Sequence, residues 1–414
     1  MPGEGFYIEK FLVYKRGFII AGDSGQMMVY SNIGEANNPY ALIASLPDRE
    51  NTSKISKEQM AVLSSLHNAR IRSMDLSADE DVLIFTTDKN QIYKMAISLV
   101  DTKNVEAAYE YMVHQFHSLL IQGMDVCIKK NLVVTCSADK TVKIWSYHPT
   151  MGFTLDINES YQEETLSVAF HPAGFQIVVG FYDRIRMMNV FQDSIQQYKE
   201  LPYKGCREIV FSNGGHLFAI QHQTFVHVFK FFTAECPANY IFKAHMGHIR
   251  SIAWLDDDTG FVTSALDASI MCWKLNPTEG SDNPVWGYKL KNVDFTCVQT
   301  YKPENEPKSE PFVYATGQDK ILREIVRDSE GKPKDLSKLE QSVTLNQVAI
   351  MKDRKAFFTG VSETSRPGSI QVIGYPWQKC EEIQAHSQRV ERIRISYDNQ
   401  YLYTAGMDGS LCVF

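Results

Sequence analysis

One spacing recurs three times in this chain. His117 is followed by Asp139 after 22 positions and by Trp145 after 28. His245, Asp267 and Trp273 keep the same intervals, and so do His386, Asp408 and Phe414. Each copy runs over a hydrophobic stretch, a turn-rich bend, a second hydrophobic stretch and a tight turn that holds the aspartate. A third stretch then ends on the aromatic residue. Repetition at this period builds one supersecondary unit after another, each stacked on the last.

The pattern is the signature of WD-repeat β-propeller blades. In the copy at 245–273, strands are predicted at 249–254, 261–264 and 269–274, with His245 in the loop between blades. The aspartate is expected to accept from the histidine, and a Ser or Thr two residues before it to relay the bond to the tryptophan. Buried polar groups of this kind need partners. On that expectation only one blade carries a full set: His117, Ser137, Asp139 and Trp145. The second has Ala265 in the serine's place, and the third has Gly406 there and Phe414 for the tryptophan. These residues read as structural rather than catalytic. Weaker copies lie at 15–31, 67–95 with Asp88, 166–190 with Asp183, 206–229, 312–325 with Asp319 and 355–375, so nine units can be counted. The expected fold is all-β: a propeller of eight four-stranded antiparallel blades, with seven as the alternative count. Val168, Phe170, Val210, Phe211, Ile252 and Trp254 are expected to pack between blades.

Hydrophobic residues at 44% and aromatics at 12% suit a well-cored chain. A net charge of −7 argues against nucleic acid as the main partner. The eight cysteines form no CxxC pair and sit mostly in predicted strands, which reads as free buried thiols in a reducing compartment. No apolar run reaches the 18 or so residues needed to span a membrane, and the N-terminus carries no signal-peptide pattern, so a soluble intracellular chain is expected. A short helix is possible over 54–69. Three polar insertions, 302–311, 327–338 and 362–369, are expected to project as loops.

No motif for chemistry emerges. Phosphate-cradling loops, GxSxG and HExxH are all absent. His222 and His227 lie in one predicted hairpin, on faces expected to be opposite, and Asp256–Asp258 read as a solvated bend. No cofactor, metal or small-molecule substrate is expected. The residues just before each turn aspartate offer a different signal. Thr87, Ala138, Tyr182, Leu266, Gln318 and Met407 would share one rim of the ring, and none is charged. Charge depletion of this kind suits protein docking.

Several strings go beyond the generic repeat: RGFIIAGDSGQMMVYS at 16–31, DVCIKKNLVVTCSADKTVKIWSY at 125–147, TLSVAFHPAG at 165–174, VVGFYDRIRMMNV at 178–190, KGCREIVFSNGGHLFA at 204–219 and KAHMGHIRSIAW at 243–254. Together they resemble the cilia- and flagella-associated protein 57 family, over most of the chain and least in 300–375. The resemblance implies a non-enzymatic axonemal scaffold in cilia and flagella, matched to roughly the second of two tandem propellers. It implies axonemal partners, whether inner dynein arm, regulatory complex or doublet microtubule components, and a role in motility. The family's long coiled coil has no counterpart before Phe414. A generic cytosolic WD-repeat adaptor is the competing reading. The expected layout is a ring-closing segment or blade at 1–46, a linker at 47–66 and the propeller at 67–414. A strand from 1–46 is expected to complete the last blade, because an open edge invites unwanted pairing.

Overall fold

The computed structural model describes residues 7–46, 66–97, 109–275 and 283–414, except 24, 36–37, 67–68, 90, 113–115, 149–151, 244, 292, 304–309, 329, 352, 354–355, 364 and 378–379. Turn chemistry sets the local structure. The residue after four of the repeat aspartates adopts a left-handed backbone: Lys140 at φ 67°, Ala268 at 62°, Lys320 at 65° and Gly409 at 77°. The aspartate side chain closes the turn by accepting the backbone N–H two residues on, at 2.9 Å from Thr141, 3.2 Å from Ser269 and 3.1 Å from Ser410. Strands rich in β-branched and aromatic residues leave these turns as antiparallel hairpins.

The chain forms two compact units, Met1–Ser118 and Leu119–Phe414. Among the described residues, the first contains two four-stranded sheets. One is built from Ile8–Tyr14, Gly17–Gly22, Met27–Asn32 and Tyr40–Leu46, the other from Ile71–Leu76, Val82–Thr87, Ile92–Ala96 and Tyr109–Tyr111. Tyr14, Ile19, Met27, Val29, Ile71 and Phe85 form their common core.

Among the described residues, the second unit contains seven sheets, six of four strands and a last one of three. Their inner strands are Ile121–Val126, Thr165–Phe170, Ile209–Phe211, Ile249–Trp254, Phe295–Tyr301, Leu345–Ile350 and Val390–Ile395. Each inner strand lies beside that of the next sheet, and Val390–Ile395 returns to lie beside Ile121–Val126. The apolar cores sit between neighbouring sheets. Val134, Val168, Phe181 and Met188 fill one such layer, and Phe242, Trp254, Phe261 and Trp273 fill another. Ile121, Met124, Val133 and Trp145 of the first sheet meet Tyr403, Ala405 and Leu411 of the last, which closes the ring. Val210 and Phe211 are consecutive yet serve different layers, because a blade buries both faces.

Several expectations change. Among the described residues the second unit shows seven sheets, the smaller of the two counts. The unit boundary falls after 118, so the sheet at 71–111 groups with the first unit. Residues 8–46 form their own sheet and lend no strand to the last blade, whose described strands are Val390–Ile395, Leu402–Gly406 and Leu411–Val413. Contact between inner faces closes the ring without a fourth strand. The insertion at 327–338 is not only loop, since Pro333–Glu340 is the outer strand of its sheet with alternating half-buried and exposed residues. A strand on the rim of a ring needs only one apolar face, so charge does not exclude it. The possible helix at 54–69 lies outside the described residues apart from the buried Leu66 and Ala69. Among the described residues, no helix is long and apolar enough to cross a membrane. The seven described cysteines are free thiols, with Cys127, Cys136, Cys206, Cys272 and Cys297 buried. Burial pushes the Cys136, Cys206 and Cys272 thiols up to about 12, which keeps them unreactive.

Because closure is made within 121–413, residues 119–414 expressed alone should unfold in one cooperative thermal transition followed by tryptophan fluorescence. A piece lacking that transition would place the closing contact elsewhere.

Candidate docking face

The polar residues singled out by spacing are largely spent inside the blades. His245 is buried, and its Nδ1 faces the Asp267 carboxylate at 3.3–3.4 Å and the Ser269 hydroxyl at 3.1 Å. Its Nε2 lies 2.7 Å from Thr263 Oγ1, and the Trp273 indole N–H donates to that same hydroxyl at 3.0 Å. In the last sheet His386 Nδ1 meets Asp408 at 3.2 Å and Ser410 at 2.8 Å, while Nε2 meets Thr404 Oγ1 at 2.9 Å. In the first sheet of the ring Trp145 Nε1 donates to Thr135 Oγ1 at 2.9 Å, and His117 is buried within the first unit.

The relay hydroxyl is therefore the threonine four residues before the aspartate, not the residue two before it. Ser137 instead donates to the Leu119 carbonyl at 3.1 Å and accepts the Asp139 N–H at 3.2 Å. The reason is register: Thr135, Thr263 and Thr404 lie on the face that carries the tryptophan or its replacement. Ala265 and Gly406 are thus no gaps in the network. A Cβ on Gly406 would come within 2.6 Å of both His386 Nδ1 and Asp408 Oδ1, so the position has to be small. In the last sheet the chain of side-chain bonds ends on Thr404, because the Phe414 ring has no N–H to add.

Electrostatics follow from this burial. Burial lowers the His245 pKa, offset in part by Asp267, which favours the neutral ring. Burial alone would raise Asp267, but the Ser269 hydroxyl, the Met246 N–H and His245 together hold its carboxyl below the usual range. Asp408 is likewise depressed, with burial outweighed by His386, Ser410 and the Ser387 N–H. Two sheets put a cation four residues after the aspartate. Arg323 grips Asp319 through both Nη atoms, one of them at 3.0 Å, in a sheet with no blade histidine. Lys143 is buried after Asp139, and desolvation pulls its ammonium down to about 8.

The rim positions can be placed through a shared backbone bond. The N–H groups of Ala138, Tyr182, Leu266, Gln318 and Met407 donate to Leu120, Glu164, His248, Asp294 and Arg389 carbonyls at 2.9–3.1 Å. Gln221 and Ser362 make the same bond to Glu208 and Thr344, which completes one position per sheet. No aspartate follows either residue, so the spacing rule missed them. Thr87 does not join this rim: it belongs to the first unit, is buried, and stands in the register of Ser137. Its unit presents Asp88 at the rim bond instead, donating to Arg70.

A second circle lies inside the rim. Every inner strand but the third carries a register shift near its start, at Gln122, Leu166, Arg250, Thr296, Asn346 and Glu391. A bulge of this kind re-aims the side chain. Arg250, Thr296, Asn346 and Glu391 line one cavity of about 320 Å³ together with the rim residues Leu266 and Gln318. Arg389 and Arg392 line it as well. Arg392 Nη2 pairs with Glu208 at 2.6 Å, and its Nε donates to the Gln122 carbonyl at 3.3 Å, so one guanidinium joins the last, third and first sheets. Nothing local in the sequence signals that pair.

His222 and His227 lie on the same face, with ring centroids 5.6 Å apart, rather than on opposite faces. The two-residue turn at Gln223–Thr224 sets His222 opposite Phe225, which fixes the parity. Among the described residues no group of three His, Cys, Asp or Glu could hold a metal. Desolvation raises the Asp256 carboxyl although the side chain is exposed, and Asp257 accepts the Thr259 N–H at 3.1 Å within the turn.

Comparison with known proteins decides the family. The WD domain, G-beta repeat model matches residues 111–146, 237–274 and 377–414, the three copies with the histidine spacing. The chain is 34% identical to cilia- and flagella-associated protein 57 A of Tetrahymena thermophila over 99% of its own length and 32% of that relative. It is 32% identical to cilia- and flagella-associated protein 57 of Mus musculus over 96% of its own length and 30% of the relative. The chain belongs to the cilia- and flagella-associated protein 57 family. A third relative, cilia- and flagella-associated protein 57 C of Tetrahymena thermophila, is 31% identical over 97% of the chain. The chain spans about a third of the length of these relatives.

Two outcomes follow from the buried network. Thr263→Val leaves the Trp273 N–H and His245 Nε2 without their shared partner and should cost about 1–3 kcal/mol in denaturant unfolding. Ser137→Ala should cost about 1 kcal/mol or less, and the reverse order would contradict the relay. Stability should also fall with acid in two stages. The fold favours neutral His245, so loss begins as pH drops below about 6.5, where the unfolded chain takes up its proton first. Asp267 and Asp408 are held low, so their contribution, complete above about pH 4, is lost as pH falls through their folded pKa values. Asp408→Asn should flatten the second stage in a pH series of melting curves.

Proposed function

We propose that the ring is a non-catalytic docking scaffold of the ciliary axoneme. In this reading it holds inner dynein arm, regulatory complex or doublet microtubule proteins and supports motility. The observation that carries it is the likeness to relatives named as cilia- and flagella-associated proteins along nearly the whole chain. The geometry adds support. The buried blade histidines, aspartates and threonines are engaged in blade networks, whereas the uncharged rim residues Tyr182 and Gln318 are exposed, Tyr182 at 70%. A rigid sheet scaffold with variable side chains on one rim suits protein docking, since little ordering entropy is lost on binding. Nucleic acid, membrane and small-molecule substrates have no part in this reading.

A tagged copy of the chain in a ciliated cell tests it. Retention on axonemes after detergent and high-salt extraction is the expected outcome. Diffuse cytosolic signal, with none on the axoneme, would overturn the proposal in favour of a cytosolic adaptor.

A further inference from the structure

We infer that the cavity at the mouth of the ring receives an acidic peptide segment of a partner, with Arg250 as its principal contact. The inference deepens the docking reading and rests on it. Three arginines, Arg250, Arg389 and Arg392, line this one cavity, against a single carboxylate, Glu391. Their engagements differ. Arg392 is bound to Glu208 at 2.6 Å with both side chains nearly buried, so it is committed to the ring. Arg389 Nε lies 2.9 Å from Glu391 Oε1, which makes that pair internally neutral. Arg250 is exposed on its bulge and, among the described residues, makes no ion pair. A positive site therefore opens in a chain of net charge −7. A concave site of one sign focuses its field on ligands of the other.

The rest of the lining suits a peptide. Gln318 and Asn346 present amides beside Arg250, and Leu266 supplies an apolar contact at the rim. Asn346 Nδ2 donates to the Val390 carbonyl at 3.0 Å, which fixes that amide and leaves its oxygen for a peptide N–H. A guanidinium binds a carboxylate through two parallel bonds, and neighbouring amides can hold the backbone that carries it. A long nucleic acid is the less favoured polyanion, because the chain around this single cavity is acidic.

Arg250 and Glu391 carry opposite charge and should act on such a peptide in opposite senses. Arg250→Ala should weaken binding by about tenfold, the loss of one charged contact. Glu391→Gln frees Arg389 from its internal partner and removes a repelling carboxylate, so it should tighten binding severalfold. A residue that merely supports the fold would not give a gain. The experiment is fluorescence anisotropy of labelled hexaglutamate on the full chain, with hexalysine, hexaserine and a six-nucleotide oligothymidine for comparison, at low and moderate salt. Saturable binding of hexaglutamate alone, weakened by salt and by Arg250→Ala and strengthened by Glu391→Gln, is expected. Hexaglutamate binding no better than hexaserine, binding indifferent to both substitutions, or tighter binding of the oligonucleotide would each overturn it. Melting curves of both variants matching the parent keep a folding defect from standing in for either result. Axonemal retention of the chain without hexaglutamate binding would overturn this site and leave the docking reading intact.

Discussion

Each sheet of the ring has two apolar faces and must bury both. A single four-stranded sheet cannot do so, and neither can a row of sheets, since the two end sheets would each keep an open face. Only a closed circle removes the ends. The layer where Ile121, Met124 and Trp145 meet Tyr403, Ala405 and Leu411 is therefore the condition for the other six. It also explains why a three-stranded last sheet suffices: closure is an affair of inner and middle strands. The short outer edge at Leu411–Val413 lies on the far side from the ring axis.

Once side chains at the blade core are engaged, function is left to what the core does not use. Asp267 binds His245, which meets Thr263, which in turn holds Trp273, so four polar groups are satisfied inside one blade. Such a network fixes the turn that carries Leu266 at the rim. The inner bulges act alongside it by turning Arg250, Thr296, Asn346 and Glu391 into the mouth. Position is thus set by backbone register, and chemistry by whichever residue the register presents. A docking face built this way can change partner by surface substitution without disturbing the blades.

Much of this was legible in the sequence, and the misses have physical causes. The interval from His117 to Trp145 repeats because the same polar network repeats, so fold class and blade positions could be read directly. The relay threonine could have been read too: Thr135, Thr263 and Thr404 each precede their aspartate by four. The count of blades could not. A sheet such as that at 71–111 carries the same local signals whether or not its neighbour belongs to the ring. The face shared by His222 and His227 turned on a two-residue turn without glycine, and Pro333–Glu340 on the freedom of a rim strand to be polar. Arg392 and Glu208 are 184 residues apart, and only closure brings them together.

The most direct test of the closed ring is amide hydrogen exchange, followed strand by strand in the intact chain. Closure predicts that Ile121–Val126 and Val390–Ile395 are protected as strongly as the interior strand Ile249–Trp254, with Leu411–Val413 exchanging first. Rapid exchange of both closing strands, with the interior strand still protected, would mean an open ring and contradict the account.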